Sequence, residues 1–376
     1  MRVAVLFKRR YMGHDVIHDR YARLYELPAG VARRGHQVVG VCLGYRPSDR
    51  GLIAEASHGD GSLAWYGLDL GRLVVPGAVS YLHGAWRLLS GWRPHVLLGG
   101  SDALHVTLTR VFARRLGIPY VIDLYDNFES FGLTRLLGLR RRYRQALRGA
   151  AAITAVSAPL AEYVGELAGG PPVLTLESTV DPRVFVPQER RAARTALGLP
   201  HAGRLVGICG AMDRRRGIGT VYRACLAVLD ALPDCHLVLV GDPDRHSPPP
   251  RHPRVHQLGR LDHGRMPVFY AALDLALAPM RDDDFGRYAF PQKAYEILAC
   301  RVPILTADLG ALGRLLRGYP ACLYRADDAV DLAAKVRGQL DQPCCPALPI
   351  PSWDEQAGRL EGLLREVVAQ GGVQRA

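Results

Sequence analysis

Short apolar runs alternate along the chain with longer segments whose apolar residues recur at helical spacing. In the first half, the run Arg2–Phe7 predicts a strand, whereas Tyr21–Arg34 and Ala103–Leu116 predict amphipathic helices. The second half repeats the pattern, with a strand at Leu205–Cys209 before a helix at Gly219–Ala231. Such alternation is typical of parallel strands joined by crossover helices. Each half is therefore predicted to be a doubly wound α/β domain.

Proline-rich breaks set the predicted domain limits. The segment Asp181–Pro187 contains two prolines around an extended piece, so residues 1–183 and 184–350 are predicted to form separate domains. A second break, Pro343–Pro351, precedes Ser352, a residue type that favours helix N-termini. Residues 351–376 are therefore predicted to form a last helix.

Composition narrows the class of protein. At 376 residues the chain is too long for one ordinary core and suits two domains. The first apolar run ends at Lys8-Arg9-Arg10, too early for a signal peptide, and no apolar stretch reaches the length of a membrane span. We therefore expect a cytoplasmic protein.

The eight cysteines give no metal-site pattern. They include neither a Cys-x-x-Cys pair nor the Cys/His spacing of a zinc site, so no metal ligands are predicted. Buried thiols in a reducing compartment explain most of them. The adjacent pair Cys344-Cys345 lies between Pro343 and Pro346, which indicates a loop, and a redox role is the alternative.

The basic excess lies mainly in the first half. Residues 1–187 carry 23 Lys and Arg against 15 Asp and Glu, a net charge of +8 out of the total of +12. Its densest part is the leucine- and arginine-rich stretch Arg135–Arg148, which suits a surface helix attracted to anionic lipid or to a pyrophosphate-bearing partner. A solvated arginine face is the alternative. Nucleic acid is not expected as a partner, because no recognition motif is present and aromatic content is only 7%.

The stretch Phe290–Leu305 is the most informative segment. Lys293 and Glu296 are three residues apart, so a helix places their side chains on one face. Phe290-Pro291 marks the start of that helix, where backbone N–H groups stay free. Only three of the 48 basic residues are lysines, and one of the three is here. An ammonium beside a helix start suits a phosphate, and a solvated lysine is the alternative.

A second anion site is predicted after the strand Leu205–Cys209. The loop Gly210–Ile218 contains a glycine turn, three arginines and Gly217 before a helix, a pattern that suits phosphate binding, with a solvated turn as the alternative. Neither a Gly-x-Gly-x-x-Gly sequence after the first strand nor a Walker loop is present, which disfavours NAD chemistry and P-loop hydrolysis. Arg216 and Lys293 are both expected at the carboxyl edge of one sheet.

These segments resemble those of retaining glycosyltransferases of family 4. Gly210–Gly217 is similar to that family's Gly-Arg-x-x-x-x-Lys-Gly loop, and Phe290–Leu305 is similar to its Pro-x-Lys-x-x-Glu-x-x-Ala-x-x-x-Pro segment. The order of segments matches over nearly the whole chain. The resemblance implies the GT-B fold, two Rossmann-like domains facing a central cleft, with a C-terminal helix that crosses back to the first domain. It also implies a nucleotide diphosphate sugar as donor, no cofactor and no metal.

Residue roles follow from the resemblance. Glu296 corresponds to a glutamate that holds the ribose hydroxyls, Arg216 to a phosphate-binding lysine, and Gly13 to a glycine near the transferred sugar. Asp126 is expected to orient the acceptor hydroxyl, with Glu129 as the alternative. Catalytic roles are assigned to Asp126, Lys293 and Glu296, and acceptor contacts to Gly13 and Glu129. The expected donor-binding residues are Gly210, Arg216, Gly217, Arg260, Leu261, Lys293 and Glu296.

The chain departs from the family pattern at four places. Tyr288 replaces the first motif glutamate, Ala211 replaces a loop arginine, Tyr125 replaces a common histidine, and Ser178-Thr179 replaces Asn-Gly. The acidic run Asp282–Asp284 either contacts sugar hydroxyls in place of that glutamate or is a solvated loop.

The sequence therefore predicts a glycosyltransferase of bacterial surface polysaccharide or glycolipid assembly, peripheral on the inner face of the plasma membrane, with a lipid-linked saccharide as acceptor. A nucleotide-sugar 2-epimerase and a catalytically silent nucleotide-sugar-binding module are the alternatives.

Overall fold

A computed structural model describes residues 1–11, 13–44, 53–70, 74–135 and 137–373 and divides into two compact units. Unit 1 comprises Met1–Ser178 and Ser352–Ala376, and unit 2 comprises Thr179–Pro351. The boundary between the units, after Ser178, lies a few residues before the one predicted from the sequence at 183/184. The reason is Phe185, which is buried in unit 2 against His263 and Tyr270, so the extended piece before it belongs to that unit.

Unit 1 is built on a sheet whose strand order among the described residues is β10-β9-β8-β7-β1-β4-β6-β5. Neighbouring strands are parallel except for the antiparallel pair β5 and β6. A separate antiparallel ribbon, β2 with β3, follows β1. The elements are β1 (Arg2–Lys8), β2 (Arg10–Tyr11), β3 (His14–Asp15), α1 (Ala22–Arg33), β4 (Gln37–Gly44), β5 (Ile53–His58), β6 (Gly61–Asp69), α2 (Val74–Trp92), β7 (Val96–Gly100), α3 (Ala103–Leu116), β8 (Tyr120–Leu124), α4 (Leu137–Arg148), β9 (Ala152–Ala155), α5 (Ala158–Ala168) and β10 (Val173–Thr175).

Unit 2 contains a parallel sheet of order β13-β12-β11-β14-β15-β16 within the described part of the chain. Its central strands are mostly apolar and buried, as expected for parallel strands with helices on both faces. The elements are α6 (Arg190–Ala196), β11 (Arg204–Cys209), α7 (Ile218–Ala231), β12 (Cys235–Val240), β13 (Val255–Gln257), α8 (Met266–Ala271), β14 (Leu275–Ala278), α9 (Asp284–Tyr288), α10 (Lys293–Ala299), β15 (Ile304–Ala307), α11 (Gly310–Leu315), β16 (Leu323–Tyr324) and α12 (Ala329–Asp341).

The last helix, α13 (Trp353–Val373), packs in unit 1. Ser352 and Glu355 form a reciprocal capping box at its start. Its apolar side chains join the core of unit 1, and Gly30 of α1 makes the close approach possible, because a Cβ there would lie 2.3 Å from Ala357 Cβ. The buried side chains of α13 in that core are Trp353, Leu360, Leu364 and Val367.

The basic helix predicted at Arg135–Arg148 corresponds to α4, Leu137–Arg148. Leu136 and the side chains of Leu133 and Leu137 lie outside the described residues. Leu147 is fully buried in unit 1, so it belongs to the core and not to the exposed face. No helix that the structure describes is long and apolar enough to cross a membrane.

Candidate functional site

The sheet of unit 2 reverses its strand order beside β11, which pairs with β12 on one side and β14 on the other. Ligands of doubly wound sheets bind beyond the carboxyl ends of strands at such a point. Gly210 follows β11 with φ +98° and Gly241 follows β12 with φ +127°, both in the region that favours glycine. A Cβ on Gly241 would lie 2.3 Å from the Gly210 carbonyl oxygen. The two loops therefore meet backbone to backbone.

Arg216 lies in a short 3-10 turn between β11 and α7. Asp213 caps this turn, since its Oδ1 accepts from the Arg216 backbone N–H at 3.0 Å. Gly217 ends the turn at φ +72°, and α7 begins at the next residue. The Arg216 guanidinium lies 5.7 Å from the centre of the Phe285 ring, within the range of a cation–π contact. These contacts orient the guanidinium at the edge of the sheet.

Lys293 begins α10 and reaches the same place. Its Nζ donates to the Cys209 carbonyl oxygen at 2.8 Å. A Cβ on Gly210 would lie 3.4 Å from Lys293 Nζ and 3.7 Å from Arg216 Nη1, so both cations converge on the glycine. Burial, together with the charge of Arg216, holds the pKa of Lys293 below its usual value. Two adjacent cations with one glycine between them form an arrangement that an anion would stabilise.

Glu296 lies one turn along α10 and is 6% exposed. Its Oε2 accepts from the Tyr270 hydroxyl at 2.7 Å, and its Oε1 accepts a longer bond of 3.4 Å from Gln292 Nε2. Burial raises the pKa of Glu296, while the Tyr270 hydrogen bond and the Lys293 charge oppose that increase. Tyr270 thus fixes one carboxylate oxygen and leaves Oε1 the better placed for a ligand hydroxyl.

Arg260 and Leu261 lie in the loop after β13. This strand pairs with β12, which Gly241 directly follows. The Gly241 N–H donates to the Gly259 carbonyl at 2.8 Å, which ties this loop to the glycine contact described above. Arg260 lies 3.8 Å from Asp242, and both side chains are at least 70% exposed, so the pair adds little stability. The structure therefore brings the predicted donor-binding residues to one edge of one sheet.

The acidic run before α9 has local partners. Asp283 caps α9 by accepting from the Gly286 N–H at 2.9 Å, and Asp282 pairs with Arg287 at 2.7 Å. Tyr288, the residue in place of the first motif glutamate, is half-buried at the end of α9. Local capping and ion pairing account for Asp282 and Asp283, and a contact of this run with sugar hydroxyls stays a prediction.

The predicted acceptor residues lie in unit 1. Gly13 has φ +85° in the turn between β2 and β3, and Asp126 follows β8, where its Oδ1 accepts from the Asn127 N–H at 2.8 Å. Glu129 is held by Arg144 at 2.6 Å and by the Tyr163 hydroxyl at 2.9 Å. Burial would raise the pKa of Glu129, but these hydrogen bonds outweigh it and hold the pKa below its usual value. Ion pairing within unit 1 accounts for Glu129, and its acceptor contact stays a prediction.

No group of three or more His, Cys, Asp or Glu side chains suited to a metal ion occurs among the described residues. Cys344 and Cys345 are not joined by a disulfide in the structure, and the Cys344 carbonyl accepts from the Cys322 thiol at 3.6 Å.

Comparison with known protein families identifies both halves of the chain. Residues 22–177 match the glycosyl transferase 4-like domain, and residues 203–342 match the group 1 glycosyl transferases. The chain belongs to the family 4 glycosyltransferases. It is an enzyme that transfers sugar from a nucleotide sugar, and the prediction made from Gly210–Gly217 and Phe290–Leu305 is confirmed.

Individual relatives agree with this assignment. The glycosyltransferase is 26% identical over 340 residues to D-inositol 3-phosphate glycosyltransferase 1 of Catenulispora acidiphila, covering 80% of this chain and 75% of that protein. It is 30% identical over 172 residues to the lipopolysaccharide core biosynthesis mannosyltransferase LpsB of Rhizobium meliloti, covering 41% of this chain and 48% of that protein.

Solved structures show the same fold. Sucrose-phosphate synthase from Thermosynechococcus elongatus superposes with a TM-score of 0.72 at 17% identity, over 100% of this chain and 98% of that one. Anabaena HepE in complex with UDP-glucose gives a TM-score of 0.66 at 15% identity, over 100% and 99%. The predicted GT-B fold is confirmed.

Proposed function

We propose that this glycosyltransferase transfers a sugar, with retention of anomeric configuration, to an acceptor of bacterial surface polysaccharide or glycolipid assembly. The observation that carries the donor half of the proposal is the convergence of Lys293 Nζ and Arg216 Nη1 at Gly210. Two cations at this edge suit a diphosphate. The surface-glycan setting is supported by the likeness to a lipopolysaccharide core mannosyltransferase.

The proposal assigns a role to each residue, supported by the placement of the donor-binding residues at one edge of the unit 2 sheet. Arg216 and Lys293 bind the diphosphate, and Glu296 accepts from a ribose hydroxyl through Oε1. Gly210 and Gly217 allow close approach of the phosphates, and Arg260 with Leu261 borders the base. The bond from the anomeric carbon to the diphosphate oxygen breaks as the acceptor oxygen bonds to the same face of the sugar. The leaving diphosphate takes the acceptor proton while Asp126 orients the acceptor hydroxyl.

A thermal-shift screen of UDP, GDP, ADP and their sugars tests the donor. A matching nucleotide should raise the unfolding midpoint, because a ligand that binds only the folded state stabilises it. The nucleotide sugar that stabilises is then incubated with and without acceptors, and NMR of the product gives its anomeric configuration. Inversion would contradict retention. Epimerised donor without acceptor would favour the 2-epimerase, and donor binding without any turnover would favour the silent binding module.

We further propose that unit 1 contacts anionic membrane at the inner face of the plasma membrane through α4. Arg141, Arg142 and Arg148 are exposed on this helix, and Arg140 is 54% exposed although it faces Glu129 at 3.6 Å. Because Leu147 lies in the core, the attraction rests on charge, with roughly 1 kcal/mol for each arginine near the surface. A lipid-linked saccharide would then be the acceptor.

Vesicle sedimentation tests this contact. Vesicles rich in phosphatidylglycerol should bind the protein at low salt, and Arg141→Glu with Arg142→Glu should weaken binding by about tenfold or more, since both attractive charges are reversed. The matched control reverses two exposed arginines of unit 2, Arg317→Glu with Arg337→Glu. Equal loss in both pairs, or no binding by the wild-type protein, would reject the proposed membrane surface.

A further inference from the structure

Four rings meet at the carboxyl edge of the sheet in unit 1. Tyr11 ends β2, His14 begins β3, Tyr21 precedes α1, and Tyr125 follows β8; these four residues form the aromatic cluster. The Tyr11 and Tyr125 rings meet edge to face at 4.8 Å, the His14 and Tyr21 rings stack at 4.2 Å, and Tyr11 lies 6.5 Å from Tyr21. All four residues are half-buried, and Tyr11 and Tyr125 also pack against the apolar core of unit 1.

Polar contacts hold the described residues next to Tyr11 and His14. Arg9 and Asp15 form a buried ion pair at 2.9 Å, and the Val16 N–H donates to the Arg9 carbonyl at 2.9 Å. Asp15 Oδ1 also accepts from the N–H groups of Ile17 and His18. On the other side, the Tyr125 hydroxyl donates to the Ser101 carbonyl at 2.6 Å. A ligand would therefore meet preorganised rings.

Polar groups border the cluster. Lys8 Nζ lies 5.7 Å from the centre of the Tyr125 ring, and the Lys8 N–H donates to Ser101 Oγ at 2.8 Å. Burial lowers the pKa of Lys8, while the charges of Asp102 and Asp126 oppose that decrease. Lys8 ends β1, Asp102 follows β7 and Asp126 follows β8, so the three side chains belong to one edge of neighbouring parallel strands. The ammonium and the two carboxylates supply hydrogen-bond donors and acceptors at the edge that carries the aromatic rings.

We propose that the aromatic cluster binds an uncharged sugar ring of the acceptor, an inference that rests on the proposed transferase function and names its acceptor class. The apolar C–H face of a pyranose packs on an aromatic ring, as other apolar surfaces do, while Lys8, Asp102 and Asp126 bond its hydroxyls. Rings with a few convergent polar groups form the kind of surface that a saccharide fits.

The charges around the cluster favour a neutral acceptor over a phosphorylated one. Arg10 lies 3.5 Å from Asp15, the carboxylate that also pairs with Arg9, and His14 lies 3.5 Å from Asp19. Lys8 shares its sheet edge with Asp102 and Asp126. A phosphate placed here would meet acidic neighbours beside each of these cations. In this respect the chain would differ from its relative D-inositol 3-phosphate glycosyltransferase 1, whose name specifies a phosphorylated substrate.

The test compares acceptors in transfer assays that all use the nucleotide sugar found by thermal shift as the donor. Octyl glycosides of glucose, galactose and mannose serve as neutral acceptors, and D-inositol 3-phosphate and glucose 6-phosphate serve as charged ones. In the variants Tyr11→Ala and Tyr21→Ala, the KM for neutral acceptors should rise about three- to tenfold per lost ring, with kcat little changed. Tyr11→Phe and Tyr21→Phe keep the rings and should retain wild-type KM. The control is Tyr319→Ala, a half-buried tyrosine of unit 2.

Thermal unfolding shows whether each variant is folded. If Tyr21→Ala is not folded, Tyr21→Leu replaces it, because leucine keeps apolar volume without a ring. Unchanged KM in the alanine and leucine variants, or a clear preference of the wild-type enzyme for the phosphorylated acceptors, would overturn the inference while leaving the donor site intact. In contrast, a wild-type protein that neither shifts with any nucleotide nor transfers sugar would reject the proposed transferase roles, so the two failures are distinguishable.

Discussion

Lys293→Ala is expected to lower the rate of sugar transfer by about 10²- to 10³-fold, the usual effect of removing one preorganised charge-stabilising group. Negative charge grows on the diphosphate as the glycosidic bond breaks. Lys293 Nζ is placed for that charge, because it is held by the Cys209 carbonyl and converges with Arg216 on Gly210. The alanine variant therefore loses more stabilisation in the transition state than in the ground state.

Arg216→Ala should act in the same direction through the second cation. Each charge-assisted contact to the diphosphate contributes roughly 1.5–3 kcal/mol, so binding of the free nucleotide diphosphate should weaken by about tenfold or more in either variant. Loss of Arg216 also removes the charge that helps to depress the pKa of Lys293. The pKa of Lys293 should therefore rise in Arg216→Ala, and its ammonium stays protonated. Weaker binding in this variant then comes from the lost guanidinium contact and not from a neutral lysine.

Initial rates and calorimetric titration of nucleotide diphosphate measure both effects. The matched controls are Lys335→Ala, a half-buried lysine that donates to the Pro320 carbonyl, and Arg214→Ala, an exposed arginine of the same turn as Arg216. Both controls should bind and transfer like the wild-type enzyme. Full activity in Lys293→Ala and Arg216→Ala together would make the diphosphate assignment wrong.

The central strands and the donor edge were predictable because their signals are local. Fully apolar runs such as Leu205–Cys209 appear as strands with nearly the expected bounds, and the glycine at 210 marks the turn that follows. Lys293 and Glu296 share a helix, so spacing alone relates them. Arg216 lies on a separate connection, but parallel strands bring successive loops to one edge, which made its approach to Lys293 predictable as well.

Contacts between distant segments were not predictable. Tyr270 lies on α8, 26 residues before Glu296, and no local pattern distinguishes its hydroxyl from that of any buried tyrosine. The antiparallel strand β5 and its neighbour β6 were not predicted either. In β6 alternate residues are only partly buried or exposed, and its place in the sheet is set by pairing with β4 rather than by a continuous apolar run.

Asp123→Ala should destabilise unit 1 by about 3–5 kcal/mol, the typical loss when one partner of a buried ion pair is removed. Arg23 of α1 is completely buried, and its guanidinium pairs with Asp123 of β8 through Nη2 at 2.5 Å and Nε at 2.9 Å. It also donates to the Leu176 carbonyl. Without the carboxylate, a charged guanidinium stays in the core with one carbonyl acceptor and no counter-ion.

Tryptophan fluorescence during urea unfolding measures this loss in the intact chain. All four tryptophans of the sequence, Trp65, Trp86, Trp92 and Trp353, belong to unit 1, so their emission follows the unfolding of that unit. The midpoint should move to lower urea for Asp123→Ala. For the matched control, Asp274→Ala in unit 2, the tryptophan transition should stay in place, although Asp274 also binds two arginines.

A double variant separates the buried charge from lost packing. Arg23→Met with Asp123→Leu removes both charges and keeps apolar volume, so it should be more stable than Asp123→Ala alone. Full recovery is not expected, because the Leu176 carbonyl and the Thr154 hydroxyl, which donates to Asp123 at 2.5 Å, lose their partners. If the double variant is no more stable than Asp123→Ala, the loss comes from packing and not from the unpaired charge. Asp123 lies on β8, and Tyr125 directly follows that strand, so the same ion pair also holds the strand that leads to one ring of the aromatic cluster.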